Sequence, residues 1–266
     1  MMRAACPLPV GPVKSSEGLI PTSGRAHLAL MFRLETFGGL ALVDGAGADV
    51  GGQHRRLALL AVLAAAGPRG VTRDKVVAYL WPESPAENAR HALEQLIYAL
   101  RRQADVALFL GTDPLHLNPR VIASDLAKFE AALELGDLSG AVARYRGPFL
   151  DGFYLGDAGE FERWVESERA RLAERFAAAL ERLGRRAAEE GDRVAAVETW
   201  RKAVALDPLS SRAMLGLMTA LAAAGERAVA IRHGRAYEAL VRHELGAEPA
   251  KAVSTLLRRL ASQTGG

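Results

Sequence analysis

The sequence predicts a mainly α-helical protein that has a small mixed α+β domain near its N-terminus and an all-α helical repeat behind it. Short strand-like segments flank three helical segments between residues 32 and 120. In the second half, the pattern G-[D/E]-x-x-x-A-[V/I] starts at Gly136, Gly191 and Gly225. The last two copies are 34 residues apart, which is the period of a stacked helix-turn-helix repeat.

Composition and charge are those of an ordinary folded protein. Of the 266 residues, 50% are hydrophobic and 24% are charged. The longest uninterrupted apolar run, residues 57–66, is about half of the roughly 20 residues that a membrane helix needs, so no membrane partner is expected. Residues 32–120 carry ten Lys/Arg and nine Asp/Glu. Nucleic-acid binding must therefore depend on the local placement of a few arginines.

Residues 1–30 are expected to form a disordered leader. They contain four prolines with scattered Gly and Ser, and no apolar stretch long enough for a signal-peptide core. Met31 directly precedes the first strand-like segment and is a candidate translation start. The only cysteine, Cys6, lies in this leader, which argues against an internal disulfide and a thiolate zinc site and fits a reducing cytoplasm.

The first domain is predicted to be a winged helix over residues 31–120. Residues 32–43 are strand-like, and the glycine-rich residues 44–52 suggest a hairpin connection. Turn and capping residues then delimit three helices, of which the second has Thr72 as its N-cap, and two short strands flank a turn at residues 111–114. The helices are predicted over residues 53–66, 72–81 and 85–103. Residues 118–120 are the expected hinge to the second domain.

The second domain, residues 121–262, is predicted to be a tetratricopeptide-like helical repeat. A unit that starts at Ala177 places its residues in the small, large and proline positions of such a repeat. Those residues are Leu180, Leu183, Gly184, Ala187, Ala196, Trp200, Ala203 and Pro208. A second unit from Ser211 fits except that Gly234 stands where a bulky residue is expected, and an insertion separates the copy at Gly136 from the next one.

The third helix of the winged helix is the main candidate for function. Its apolar residues fall on one side, and a polar arc about 140° wide, measured at roughly 100° per residue, covers the other. The arc contains Arg90, His91, Glu94, Gln95, Tyr98, Arg101 and Arg102. Arg and Gln can pair with guanine and adenine in the DNA major groove, and Glu can accept a hydrogen bond from cytosine. The alternative is an ordinary solvated face of an amphipathic helix.

Further candidates lie around this helix and would bind DNA phosphates. They are Arg55 and Arg56 at the start of the first helix, Thr72 at the start of the second, and Thr112 and His116 in the terminal hairpin, or wing. The wing is short and nearly uncharged. Asp113 at its tip is expected to oppose the DNA backbone, which weakens the case for a wing contact.

Residues 57–102 resemble the DNA-binding domain of the SARP class of bacterial transcriptional activators, whose winged helix is of the OmpR type. Shared features are Leu80-Trp81 at the end of the second helix and the segments N-A-R (88–90) and A-L-R-R (99–102) of the third. Residues 145–153, YRGPFLDGF, the segment EFERWVESERARL from residue 160, and HELGAEP at 243–249 are similar to the bacterial transcriptional activator domain of that class. The resemblance spans residues 32–261.

This resemblance implies binding to double-stranded promoter DNA, contact with RNA polymerase, a homodimer on repeated sites and a cytoplasmic, nucleoid-associated location. The sequence carries no phosphate-binding G-x-x-x-x-G-K-[S/T] motif and no nucleophile elbow, and its six histidines lack paired metal-ligand spacing. We therefore expect no catalytic activity, no metal and no cofactor. The rival interpretation is a protein-interaction scaffold in which the winged helix no longer binds DNA.

Overall fold

The computed structural model describes residues 32–104 and 106–262. The predictions for the leader, for Cys6 and for Met31 lie outside these residues. The described strands are β1 Phe32–Glu35, β2 Ala41–Asp44, β3 Phe109–Leu110, β4 His116–Leu117 and β5 Ile122–Ser124. The helices are α1 His54–Ala66, α2 Arg73–Leu80, α3 Ala86–Ala104, α4 Asp125–Glu134, α5 Leu138–Arg144, α6 Gly159–Glu189, α7 Arg193–Leu206, α8 Ser211–Ala223, α9 Arg227–Leu245 and α10 Lys251–Ser262. The predicted mainly α fold class is confirmed.

The N-terminal sheet has the order β2-β1-β5. The β1–β2 pair is antiparallel, as predicted, and β5 adds to the other side of β1 in parallel. Asp125, the first residue of α4, fastens this arrangement, because its carboxylate accepts hydrogen bonds from the hydroxyl of Thr36 at 2.6 Å and from the backbone N–H of Thr36 and Phe37. β5 thus belongs to the first sheet although it follows residues 118–120, the predicted hinge; the domain boundary there stays a prediction.

The three helices and the wing form as the sequence predicts, with helix ends within about two residues of the expected ones. Thr72 is the N-cap of α2, and its hydroxyl accepts from the N–H of Lys75 at 3.4 Å. β3 and β4 pair antiparallel around the turn that contains residues 111–114. Helix α1 is the centre of this domain, since its seven residues from Ala58 to Ala64 are all buried.

The recurring G-[D/E]-x-x-x-A-[V/I] pattern is a turn between two antiparallel helices. Gly136, Gly191 and Gly225 end α4, α6 and α8 with φ angles of +74°, +78° and +84°, which glycine adopts without steric cost. The acidic residue that follows caps the next helix in two copies, since Asp137 and Asp192 accept from N–H groups three residues on. The alanine of each copy is buried where the paired helices approach closely.

Successive helices from α6 to α10 pack on one another as a helical stack. Gly234, the mismatch in the second repeat unit, has a physical explanation. It is buried in α9, and a Cβ atom there would lie 2.7 Å from Cε of Met218 on α8. The Met218 side chain of the neighbouring helix therefore fills the space that a bulky residue at position 234 would occupy.

The insertion after the first copy joins the two halves of the molecule. Phe149 is fully buried, its backbone bridges to Phe37 and Gly39 beside the N-terminal sheet, and its ring packs edge-on to Trp164 of α6. Trp164 in turn stacks on Tyr79 of α2 with ring centroids 5.5 Å apart. The first half of the long helix α6 therefore packs on the winged helix, and its second half begins the repeat.

Candidate DNA-binding surface

Helix α3 has one buried side and one exposed side. Its hydrophobic residues face the core of the winged helix: Ala89, Leu93, Leu96, Ile97, Leu100 and Ala104. All seven side chains of the predicted polar arc are exposed: Arg90, His91, Glu94, Gln95, Tyr98, Arg101 and Arg102. The structure therefore brings these seven residues together on one solvent-facing surface, which we call the α3 face.

Two ion pairs lie at the N-terminal part of the α3 face. Arg90 Nη2 lies 3.1 Å from Oδ1 of Asp74 on α2, and Glu94 lies 3.8 Å from the guanidinium of Arg73. The Arg90 and Asp74 side chains are 60% and 77% exposed. Such an exposed pair contributes only about 0 to 1 kcal/mol, so a DNA phosphate or base can replace Asp74 at small cost.

The C-terminal part of the α3 face combines positive charge with an exposed aromatic ring. Tyr98 is 59% exposed, and the guanidinium carbon of Arg102 lies 5.9 Å from the centroid of its ring. One turn earlier, His91 and Gln95 approach each other at 3.5 Å between side-chain nitrogens. This part of the helix offers hydrogen-bond donors for base edges and a phenol hydroxyl for a phosphate.

The wing is attached to the start of α2. Asp113 accepts a hydrogen bond from the N–H of Arg73 at 3.1 Å, and the Thr112 carbonyl accepts from Arg73 Nε at 2.9 Å. Val71 and Leu115 also exchange two backbone hydrogen bonds of 2.9 and 2.8 Å. The Asp113 carboxylate thus accepts a hydrogen bond from an N–H of the first turn of α2 that has no partner within the helix. The sequence predicts only that Asp113 opposes the DNA backbone, and the structure adds that its carboxylate is bonded to α2.

Arg73 is a residue of this surface that the sequence reasoning missed. It links the wing, the start of α2 and Glu94 of α3, and its charge offsets the carboxylate in the α3 face. The available signal was its position directly after the Thr72 N-cap, where a side chain at a helix N-terminus can reach a bound phosphate.

The remaining predicted phosphate contacts occupy different environments. Arg56 donates to the Gln103 side chain at 2.9 Å and so lies beside the end of α3. Arg55 instead pairs with Asp157 of the insertion and donates to the Leu80 carbonyl, so its guanidinium lies at the junction with the second half of the chain. His116, paired with Leu110 next to the turn of the wing, is half-buried, and Thr72 and Thr112 are exposed.

Across residues 32–104 and 106–262, no three His, Cys, Asp or Glu side chains form a group that could hold a metal ion. In that same part of the chain, no helix combines the length and apolarity that a membrane crossing requires.

The fold is similar to that of one solved structure, and a second structure gives only a weak match. Mycobacterium tuberculosis EmbR, solved in complex with a low affinity phosphopeptide, matches with a TM-score of 0.65 and 22% sequence identity. The match covers 88% of this chain and 65% of the EmbR chain, so this chain spans about two thirds of EmbR. The TPR2B domain of yeast Sti1 in a complex with pHsp70 matches more weakly, with a TM-score of 0.29, 21% identity, and coverage of 52% of this chain and 94% of that one.

The search of curated proteins found no significant match. The family comparison is decisive, because residues 122–261, more than half of the chain, match the bacterial transcriptional activator domain. These residues begin at β5 and include all helices from α4 to α10. The chain therefore belongs to the bacterial transcriptional activator domain family, in agreement with its resemblance to the SARP class.

Proposed function

We propose that this chain is a transcriptional regulator that binds double-stranded promoter DNA through the α3 face. The observation that carries the proposal is the exposure of all seven polar side chains of the arc on the third helix of a winged helix, the helix that enters the major groove in proteins of this architecture. Arg90, Gln95 and Arg101 are the proposed base readers. Arg102, Tyr98, Arg56 and Arg73 are the proposed phosphate contacts.

The helical repeat is the proposed contact surface for RNA polymerase, and two copies of the chain would occupy repeated DNA sites. Family membership and the exposed surfaces of α7 to α10 support this assignment. A stacked repeat presents an extended surface to partners. The protein would act in the cytoplasm at the nucleoid.

The first experiment selects genomic DNA fragments with the full chain and then measures the affinity for an enriched fragment by fluorescence anisotropy at several salt concentrations. Arg90→Ala and Arg101→Ala, which remove proposed base readers, should each weaken binding by about 1 to 3 kcal/mol, which is roughly 5- to 150-fold, and relax the sequence preference. Arg102→Ala, which removes a proposed phosphate contact, should lower the slope of affinity against salt. Arg193→Ala removes the same charge from the exposed start of α7 and is the matched control.

Unchanged affinity in Arg90→Ala and Arg101→Ala together with an unchanged salt slope in Arg102→Ala would exclude the α3 face as the DNA surface. If the full chain enriches no fragment at all, the rival function, a protein-interaction scaffold, is the better description. The near-neutral charge of residues 32–120 is the observation on its side.

A further inference from the structure

A cleft of about 490 Å³ lies where the N-terminal sheet meets the first helical hairpin of the second half of the chain. It is separate from the α3 face. Its lining comes from β1, β5, α4 and the end of α5, so both halves of the molecule contribute to it. Its charged lining residues are Arg33, Glu35, Asp125, Lys128, Arg144 and Arg146. Four positive and two negative side chains leave a formal charge of +2 on this cleft.

Both carboxylates of the cleft already have partners. Asp125 accepts hydrogen bonds from Thr36 and Phe37, which hold it against the edge of the sheet. Glu35 forms an ion pair with Arg146 at 3.4 Å. Glu35 is therefore balanced by Arg146, whereas Asp125 keeps its negative charge but forms no ion pair with another described residue, so the three remaining cations together with Asp125 leave a net charge of +2.

Three cations remain without a carboxylate partner among the described residues. Arg33 is exposed on β1, where it alternates with the buried Leu34 and so points away from the core. Lys128 is exposed on α4, and Arg144 donates to the carbonyl of Gly140 in its own helix. Like charges gathered in one cleft repel each other, and an anion between them removes that repulsion.

The shape and chemistry of the cleft suit a small phosphorylated compound. Its volume falls within the roughly 300 to 1,000 Å³ of small-molecule sites. Guanidinium groups match the geometry of phosphate oxygens, and an ammonium adds a point charge. Ala123 and Ala143, also in the lining, supply small apolar surface for the organic part of a ligand.

We propose that this cleft binds a small organic phosphate, with Arg33, Lys128 and Arg144 holding the phosphoryl group. Because Arg33 belongs to the winged-helix sheet and the other two to the bacterial transcriptional activator domain, the bound anion connects the two parts of the chain. Its occupancy therefore stabilises their joint arrangement. The proposal does not depend on DNA binding by the α3 face.

The test measures thermal unfolding of the full chain with inorganic phosphate or AMP through the millimolar range, at constant ionic strength balanced with chloride. Both probes should raise Tm, since a ligand that binds only the native state stabilises it. The double variant R33Q/K128Q should weaken probe binding about tenfold or more, because the loss of a charge-assisted hydrogen bond lowers affinity by about that factor. The matched control R193Q/K202Q removes the same charge from exposed positions on α7 and should respond like the parent chain.

Three outcomes would overturn the proposal. The first is no rise in Tm beyond that of chloride, and the second is an equal rise in R33Q/K128Q. The third is a loss of DNA affinity in R33Q/K128Q without any response of the parent chain to the free probes, which would make these cations a contact for the DNA backbone. Arg90→Ala should keep the full response to phosphate, so failure of the DNA proposal and failure of this one are separable.

Discussion

At the scale of single residues, the helical repeat depends on close packing around Trp200 of α7. This indole is mostly buried and contacts two glycines from the neighbouring helices. A Cβ atom at Gly184 of α6 would lie 2.7 Å from the ring, and one at Gly216 of α8 would lie 2.5 Å from it. The ring therefore occupies the space that a side chain at either position would need.

Gly216→Val should lower the free energy of unfolding by about 2 kcal/mol or more, because overpacking a core costs about 1 to 3 kcal/mol and the β-branched side chain gains little helix propensity. Urea denaturation followed by circular dichroism measures the change. Gly159→Val is the control, since no atom lies within 4 Å of the Cβ position there. Equal stability of the two variants would mean that the Trp200 site can relax.

His233 of α9 makes the repeat sensitive to mild acid. Its partial burial lowers the pKa of the imidazole below its ordinary value, and the positive charges of Arg201 and Arg232 lower this pKa further. As pH falls below about 6.5, the unfolded chain takes up a proton before the folded chain does, so the free energy of unfolding decreases. This one group therefore favours the native state most when its imidazole is neutral.

His233→Gln should make the free energy of unfolding depend less on pH between neutral pH and the lowered pKa of His233. Denaturation curves at a series of pH values give the comparison, with His243→Gln at the exposed end of α9 as the control. Parallel pH profiles for the parent and His233→Gln would count against this role.

At the scale of elements, the start of α2 is the point that positions the wing. Thr72 and Asp113 each accept a hydrogen bond from an N–H of the first turn, and Arg73 donates to the Thr112 carbonyl. These bonds satisfy groups that a helix end leaves free. The wing is therefore held by residues at the start of α2, the helix that precedes α3.

Asp113→Ala should lower the free energy of unfolding by about 1 kcal/mol, the usual cost of losing a capping side chain. It should leave DNA affinity unchanged or reduced, although it removes a negative charge from the wing. Chemical denaturation and anisotropy measure the two effects. The control, Glu83→Ala, removes an exposed carboxylate to which the described residues give no partner. Tighter DNA binding at unchanged stability would show instead that Asp113 only repels DNA.

At the scale of the whole molecule, the insertion at residues 145–164 makes the winged helix and the repeat one structure. The backbone N–H of Leu150 donates to the Thr36 carbonyl at 2.8 Å, and Arg169 of α6 donates to the carbonyls of Phe149 and Leu150. The buried Phe149 ring occupies the middle of this junction. The orientation of the α3 face relative to the repeat therefore depends on the insertion.

Phe149→Ala should lower the free energy of unfolding by about 3 to 5 kcal/mol, the usual range for removing a fully buried phenylalanine ring. Calorimetry should also show whether the unfolding transition of the parent chain separates into two in the variant. Tyr154→Ala removes an exposed ring from the same segment and should change stability by no more than about 0.5 kcal/mol. A loss below about 1 kcal/mol in Phe149→Ala would contradict the role of this ring in the junction.

Several features of the candidate sites were predictable and others were not. The exposed arc of α3 follows from a period of 3.6 residues, and the turns at Gly191 and Gly225 follow from residues that lie next to each other in the chain. The sequence places Arg55 next to Arg56, and only the structure shows that Arg55 pairs with Asp157, which lies 102 residues further on. Because Asp157 is so distant along the chain, no sequence pattern around Arg55 indicates this ion pair.

The sequence by itself determined the helices, their caps, the repeat and the amphipathic character of α3, because each depends on residues within about four positions of one another. Only the tertiary structure decided that β5 pairs with β1, that Asp125 binds Thr36 at a separation of 89 residues, and that the wing carboxylate caps α2. It also decided that Arg33, Lys128 and Arg144 share one cleft. The physical reason is that such contacts depend on how distant segments pack, and packing between them has no period along the chain.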